Sequence, residues 1–347
     1  MAVVPGRPES AAVLEMPEPA AADGSVLVRT HAIGICGTDV EIAAEGYGWP
    51  PPGEERLVLG HESIGEVIDA PADSGLRPGD LVVGIVRRPD PEPCACCANG
   101  DWDMCRNGLY VERGIKERHG YGSERFRIEP EFAVRVDPRL GDLAVLLEPA
   151  TVVAKAWEQV ERIGARSCFD PKVVLVTGAG PIGLLAALLG AQRGLETHVV
   201  DIVQGGPKPE LVRELRATYH STPLTELTGL GADVVIECTG LGEVVLGAIR
   251  AAAPNVVVAL AGISSRAGSV VINMDEANKN MALRNGVMFG TVNAARRHYE
   301  QAAQALAAAS PSWLRRLITR NVHLSEWPAA LRNEPNDIKV VVDFGAG

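Results

Sequence analysis

The sequence predicts an α/β protein of two domains, a β-rich domain followed by a doubly wound parallel sheet with helices on both faces. Three observations carry this. The chain has 347 residues, more than one ordinary hydrophobic core organises. Its first 140 residues are rich in short β-like runs punctuated by Gly, Pro and Asp. From Lys172 onward, strand-like and helix-like segments alternate, the pattern of a parallel sheet covered on both sides.

The elements follow in order. SVLVRTHAIGI, RLVLGHESIGEVI, DLVVGIV, SERFRIEP and FAVRV supply strands of a compact antiparallel or barrel-like domain. LAVLLEPATVVAKAWEQVERI reads as a helix, with apolar residues at three- and four-residue spacing. Then come the strand KVVLV, the helix GLLAALLGAQR, the strand THVVD, the helix PELVRELRATY, the strand ADVVIECTG, the helix VVLGAIRAAA and the strand NVVVALAG. GSVVIN and GVMFGTV add late strands, and from about Thr291 a helix, ARRHYEQAAQALAA, leads to a closing strand, IKVVVDF.

Composition narrows the function classes. Apolar residues make up 46% of the chain, enough for full cores rather than disorder. The net charge of −11 is spread along the sequence, which argues against nucleic acid as a partner because phosphate binding needs a basic face. The longest apolar run, IGLLAALLGA at 182–191, is too short to span a bilayer, so no membrane partner is expected. The opening MAVVPGRPES lacks an apolar signal core, and a cytoplasmic location is expected. There thiols stay reduced, so the four cysteines of EPCACCANGDWDMC at 92–105 point to metal binding before disulfides.

KVVLVTG runs into GAGPIG, placing Gly178, Gly180 and Gly183 between a strand and an apolar helix. The first glycine serves the tight turn, the second the approach of a pyrophosphate to the helix N-terminus, and the third close packing of helix on strand. Asp201 ends the next strand, 18 residues after Gly183, where a carboxylate hydrogen-bonds a ribose 2′-hydroxyl and repels a 2′-phosphate. NAD is therefore favoured, while Lys208 and Arg213 just beyond keep NADP open.

HAIGICGTD at 31–39 puts Cys36 on a turn after one strand, LVLGHESIGEV at 57–67 puts His61 and Glu62 after another, and LLEPA at 146–150 adds Glu148. One thiolate with harder ligands from separate elements makes an incompletely filled zinc site, the arrangement a catalytic metal needs. Each residue alone also has a plain structural reading: a buried small hydrophobe, a core histidine, a solvated or capping carboxylate.

GICGTD, GHE, the cysteine cluster after VRRP and GAGPIG, in this order, resemble the zinc-dependent medium-chain alcohol dehydrogenase family. LVLGHE, VRRP, ERGI at 112–115, LLEPATVVAKA at 146–156, GTVNA at 290–294 and DIKVVVDF resemble its glucose dehydrogenase branch, and the match runs over nearly the whole chain. The resemblance implies a GroES-like catalytic domain over 1–155, a Rossmann domain over 156–292, a return to the catalytic domain over 293–347, and a cleft between the domains. It implies a catalytic zinc at Cys36, His61 and Glu148, with Glu62 as an alternating ligand or close neighbour, and Thr38 as the hydroxyl that passes on the substrate proton. It places Glu112, Asn293 and Glu148 at the sugar, with His119 a further candidate. It places Gly178, Gly180, Pro181, Ile182, Gly183, Asp201, Thr239 and Asn293 at the cofactor.

The resemblance also implies that the cysteine cluster is a structural zinc lobe. Cys94, Cys97 and Cys105 match three of its four positions, and the fourth falls on Pro91, which cannot bind metal. Cys96, Asp90, Asp101 or Asp103 is left to complete the site, or packing holds the lobe without metal. The implied reaction is oxidation of a sugar hydroxyl by hydride transfer to NAD(P), giving a lactone from an aldose. A polyol or cyclitol substrate is the alternative, since Val86 and Leu283 are apolar where some members of the branch carry polar sugar contacts. A homodimer or homotetramer is expected, with GVMFGTV as a contact strand.

Overall fold

A computed structural model describes residues 1–227, 229–264 and 273–345. They form two compact units, Met1–Thr151 with Asn293–Gly347, and Val152–Val292.

The first unit is built on a seven-stranded sheet. Its central strand, Val26–Ile35, is flanked by Glu62–Asp69 on one side and by Lys339–Asp343, from the far end of the chain, on the other. Both pairings are antiparallel. Val28, Ile33, Ile64, Val82, Val83, Ile128 and Val342 are fully buried on it, each worth about 1.5–3 kcal/mol of burial. The run RLVLGHESIGEVI divides in two, because Gly60 takes φ +93 between Leu57–Val58 and Glu62–Asp69 and so sets His61 on a turn. A separate three-stranded sheet pairs Arg87–Arg88 with Val111–Arg113, and that with Glu117–Arg118.

The second unit holds six parallel strands in the order Thr218–His220, Glu196–Val200, Val173–Thr177, Ala232–Glu237, Ala252–Leu260, Val287–Gly290. Numbered along the chain this is 3-2-1-4-5-6, the doubly wound order with a switch point beside the first strand. Leu175, Val176, Val234, Val235, Ile236, Val257 and Val258 are fully buried, as strands covered on both faces must be. No helix among the described residues is long and apolar enough to cross a membrane.

Several elements differ from expectation. PELVRELRATY, at 209–219, stays helical only as far as the end of the helix Pro207–Glu214; Arg216 turns to φ +60, and Thr218–His220 becomes an edge strand paired with His198–Val200. The helices Gly37–Glu45, Met274–Leu283 and Pro311–Leu317 and the strand Ile318–His323 were not anticipated. Most of GSVVIN lies outside the described residues.

Candidate active site

In the first unit the predicted ligands converge on His61. Cys36 closes the central strand and caps the helix Gly37–Glu45: its Sγ accepts from Thr38 N at 3.2 Å, and its own N–H donates to Asp39 Oδ2 at 3.0 Å. This capping box fixes the thiol at the helix N-terminus. Cys36 Sγ lies 3.0 Å from His61 Nε2. Asp39, fully buried, faces the other ring nitrogen, Nδ1, at 3.4 Å. With Nδ1 directed at a carboxylate, Nε2 is the nitrogen left to bind metal, as in carboxylate–histidine–metal arrangements.

Two donor sets share this histidine. Cys36, Asp39 and His61 form one; His61, Glu62 and Glu148 form the other; within each, ligand atoms lie within 4.8 Å of one another. Cys36 and Glu148 do not share a set, so His61 is the hinge between the thiolate and the carboxylate side. Glu148 stands in the first turn of the helix Leu147–Gly164, and Glu62 begins the strand after His61. Glu62 is held by Lys339, whose Nζ reaches both its oxygens.

The electrostatics fit a divalent cation. Burial, reinforced by neighbouring Glu62, pushes the Glu148 carboxyl up to about 7. Burial works against charging His61, yet Cys36 and Asp39 raise it well above its usual value. Asp39, Glu62, Glu148 and Cys36 are thus gathered around one imidazole and one ammonium. A thiolate, an imidazole and a carboxylate are the donor types zinc takes, so the residues present fit that metal. Thr38, on the same capped turn, has a hydroxyl that makes no hydrogen bond among the described residues.

The predicted sugar residues are also brought together: Asn293, at φ +60, donates from Nδ2 to Glu112 Oε1 at 2.7 Å. His119 is not among them; its Nε2 pairs with Glu54 at 2.9 Å and its Nδ1 accepts from Val58 N.

In the cysteine cluster, Cys94, Cys97 and Cys105 form a third donor set. Backbone N–H groups of Arg106 and Cys97 lower Cys94 to about 6, while burial raises Cys97 to about 11. Neither Cys96 nor Asp90 joins the set. Cys96 precedes Cys97 on the short helix Ala95–Ala98, so its side chain leaves about 100° around the axis. One Asp90 oxygen, Oδ1, accepts from Glu92 N at 2.9 Å. The three thiols alone are a strong nucleus for a structural zinc.

In the second unit the glycine turn follows Val173–Thr177 and opens the helix Pro181–Gln192. A Cβ on Gly183 would lie 1.8 Å from Gly178 O, so only glycine permits this approach; a Cβ on Gly180 would meet nothing within 4 Å, leaving the open face a pyrophosphate needs. Pro181 and Ile182 form the first turn of that helix. Asp201 Oδ2 accepts from Ala179 N at 2.6 Å, and Lys208 Nζ lies 3.7 Å from it. Thr239 donates from N and Oγ1 to buried Glu237, which braces the end of Ala232–Glu237. Asp39, Lys339 and Arg87, which binds Glu112, were missed from sequence. Asp39 alone left a signal, an acid three residues after the cap.

Residues 22–138 match the alcohol dehydrogenase GroES-like domain, and residues 141–344 match the glucose dehydrogenase C-terminus. Glucose 1-dehydrogenase of Methanocella arvoryzae is 36% identical over 355 residues, covering 99% of both chains. That of Thermoproteus tenax is 37% identical over 346 residues, covering 98% of this chain and 97% of its own. Glucose dehydrogenase of Haloferax mediterranei, solved with NADP, Zn and gluconolactone, superposes with a TM-score of 0.91 at 33% identity, covering 100% of this chain and 99% of that one.

Proposed function

The chain belongs to the zinc-dependent medium-chain alcohol dehydrogenase family, in its glucose dehydrogenase branch, and from that premise we propose that it oxidises an aldose at C1 to the lactone, with NAD(P) as hydride acceptor. The observation that carries the reading is His61, shared between a thiolate set and a carboxylate set. When bound, zinc supplies Lewis-acid polarisation of a hydroxyl and the dinucleotide accepts the hydride.

Cys36, His61 and Glu148 hold the metal, with Glu62 as an alternating ligand restrained by Lys339. Asp39 fixes the His61 ring and its tautomer. The Thr38 hydroxyl relays the proton of the sugar hydroxyl toward water, accepting a hydrogen bond from the sugar while donating its own O–H onward. Glu112, Asn293 and Glu148 orient the sugar through hydrogen bonds to its hydroxyls. Gly178, Gly180, Pro181, Ile182 and Gly183 hold the pyrophosphate, Asp201 the adenosine ribose, and Thr239 and Asn293 complete the cofactor contacts. Asp201 supports a preference for NAD; the NADP in the Haloferax relative and Lys208 beside Asp201 support use of NADP as well.

Cys94, Cys97 and Cys105 hold a structural zinc. The strand Val287–Gly290 is an edge of its sheet with Met288 exposed, which supports assembly into a homodimer or homotetramer. Seven free cysteines support a reducing, cytoplasmic setting. The domain reading is a GroES-like catalytic part over 1–155 and 293–347 and a Rossmann part over 156–292.

Initial rates with NAD and NADP on a panel of aldoses, polyols and cyclitols, before and after metal removal, test the whole reading. Aldose turnover lost on chelation and restored by zinc is expected. Turnover of polyols or cyclitols but not aldoses would transfer the assignment to the alternative substrate class, and activity indifferent to chelation would end the metal reading.

A further inference from the structure

Glu112 and Arg87 face each other on paired antiparallel strands. One oxygen of Glu112, Oε1, accepts three donors: Arg87 Nε at 3.1 Å, Arg87 Nη2 at 3.0 Å and Asn293 Nδ2 at 2.7 Å. Among the described residues no hydrogen bond reaches Oε2. A carboxylate offers about four acceptor positions over its two oxygens, so this crowding loads one oxygen and reserves the other.

The guanidinium is itself fixed. Its Nη1 donates to the carbonyl of Asp103 at 3.2 Å, two residues before Cys105. Its carbon lies 3.7 Å over the centre of the Tyr110 ring, and Lys116 Nζ lies 4.4 Å from the same ring. Arg87 is 5% exposed and Glu112 7%, so both hydrogen bonds and ring contact act away from bulk water, where they are strong.

We propose that Arg87 is a positioning residue for sugar recognition: it turns Glu112 so that Oε2 accepts a sugar hydroxyl, and it ties that orientation to the cysteine lobe through Asp103. The inference rests on the reading of Glu112 as a sugar contact. A guanidinium serves this place better than an ammonium. It donates two hydrogen bonds to one carboxylate while a third N–H points to a backbone carbonyl, whereas an ammonium has no such planar fork.

The experiment uses the full-length, zinc-loaded enzyme with four variants: Arg87→Met, Arg87→Lys, Glu112→Gln and the double Arg87→Met/Glu112→Gln. The readouts are KM and kcat for glucose, KM for the dinucleotide, and the melting temperature. Arg87→Met should raise the glucose KM about ten- to a hundredfold, with kcat within about threefold and dinucleotide KM unchanged. Arg87→Lys should recover part of the loss. The double variant should be no worse than Glu112→Gln alone, because a residue acting through Glu112 has nothing to position once its charge is gone.

Effects that multiply in the double variant overturn the proposal, as does a fall in kcat at unchanged glucose KM. If Arg87→Met does not fold, Arg87→Lys decides: a raised glucose KM at the original melting temperature supports the positioning role, and an original KM overturns it. If Glu112→Gln leaves the glucose KM unchanged, the sugar-contact reading fails, and this inference falls with it.

Discussion

Lys339 Nζ donates to both carboxylate oxygens of Glu62, at 2.7 and 2.6 Å, in a pair whose side chains are 1% and 2% exposed. The same ammonium donates to the carbonyl of Ile35, the residue before Cys36. One buried cation from the end of the chain therefore braces both strands that deliver the candidate metal ligands. Removing one member of a buried pair strands the other charge, at a cost of about 3–5 kcal/mol. Lys339→Met should lose that much stability in a denaturant titration, and adding Glu62→Gln should recover a large part of it. Additive losses would show that the two groups do not act as a pair.

Glu129 gives a pH signature away from the metal. Burial favours its neutral form, but Arg88, at 3.1 and 2.9 Å, and Arg118, at 2.7 Å, hold its carboxyl down at about 2. Its folded value lies below its ordinary value of 4.5, so its contribution is full above about pH 4.5 and is lost as pH falls toward about 2. Glu129→Gln should lower stability near neutral pH by about 1–2 kcal/mol, after allowance for partial exposure, and flatten the acid limb in that window. An unchanged slope of stability against pH between those limits would exclude the assignment.

The legible parts of the chain were those where one local pattern determines the outcome. The strand–GAGPIG–helix unit with Asp201 could be read because turn, helix start and acid all lie within 24 residues, 178–201. Cys36, His61 and Glu148 each had a plain structural alternative until a family resemblance linked them, because their meeting is a tertiary event. Lys339 and Arg87 could not be read at all. Each is a charged residue within a short strand pattern, and only the assembled sheet gives it a carboxylate partner: Glu62, 277 residues away on the far side of the central strand, for Lys339, and Glu112, 25 residues away on a paired strand, for Arg87. The edge strand Thr218–His220 was hidden for a similar reason, since its pairing with His198–Val200 overrides a weak helical continuation.

The two cysteine sites should separate on substitution. Cys36→Ser leaves the capping geometry an acceptor oxygen but replaces the thiolate, so turnover should be abolished while the melting temperature shifts by only a few degrees. Cys105→Ser removes one thiol of a set of three and should lower stability first, with activity falling only as structure is lost. Zinc content, melting temperature and rate measured on the same preparations check both. A fully active Cys36→Ser removes that residue from the metal site, and an inactive Cys105→Ser of unchanged stability contradicts a structural lobe.

The proposed cofactor role of Asp201 can be told apart from its structural one. Its Oδ2 accepts from Ala179 N and its Oδ1 from Val203 N, so the carboxylate braces the glycine turn in addition to the ribose contact proposed for it. Asp201→Asn keeps one acceptor oxygen and loses the charge; Asp201→Ala loses both. With the carboxylate gone, Lys208 Nζ, now 3.7 Å from it, is released toward a 2′-phosphate. Both variants should therefore shift the ratio of kcat/KM for NAD over NADP toward NADP by about tenfold, and Asp201→Ala should additionally raise both KM values through a weakened turn. Steady-state rates with each dinucleotide at saturating glucose measure this. A ratio unchanged in Asp201→Asn would leave Asp201 a purely structural brace and remove its part in cofactor choice.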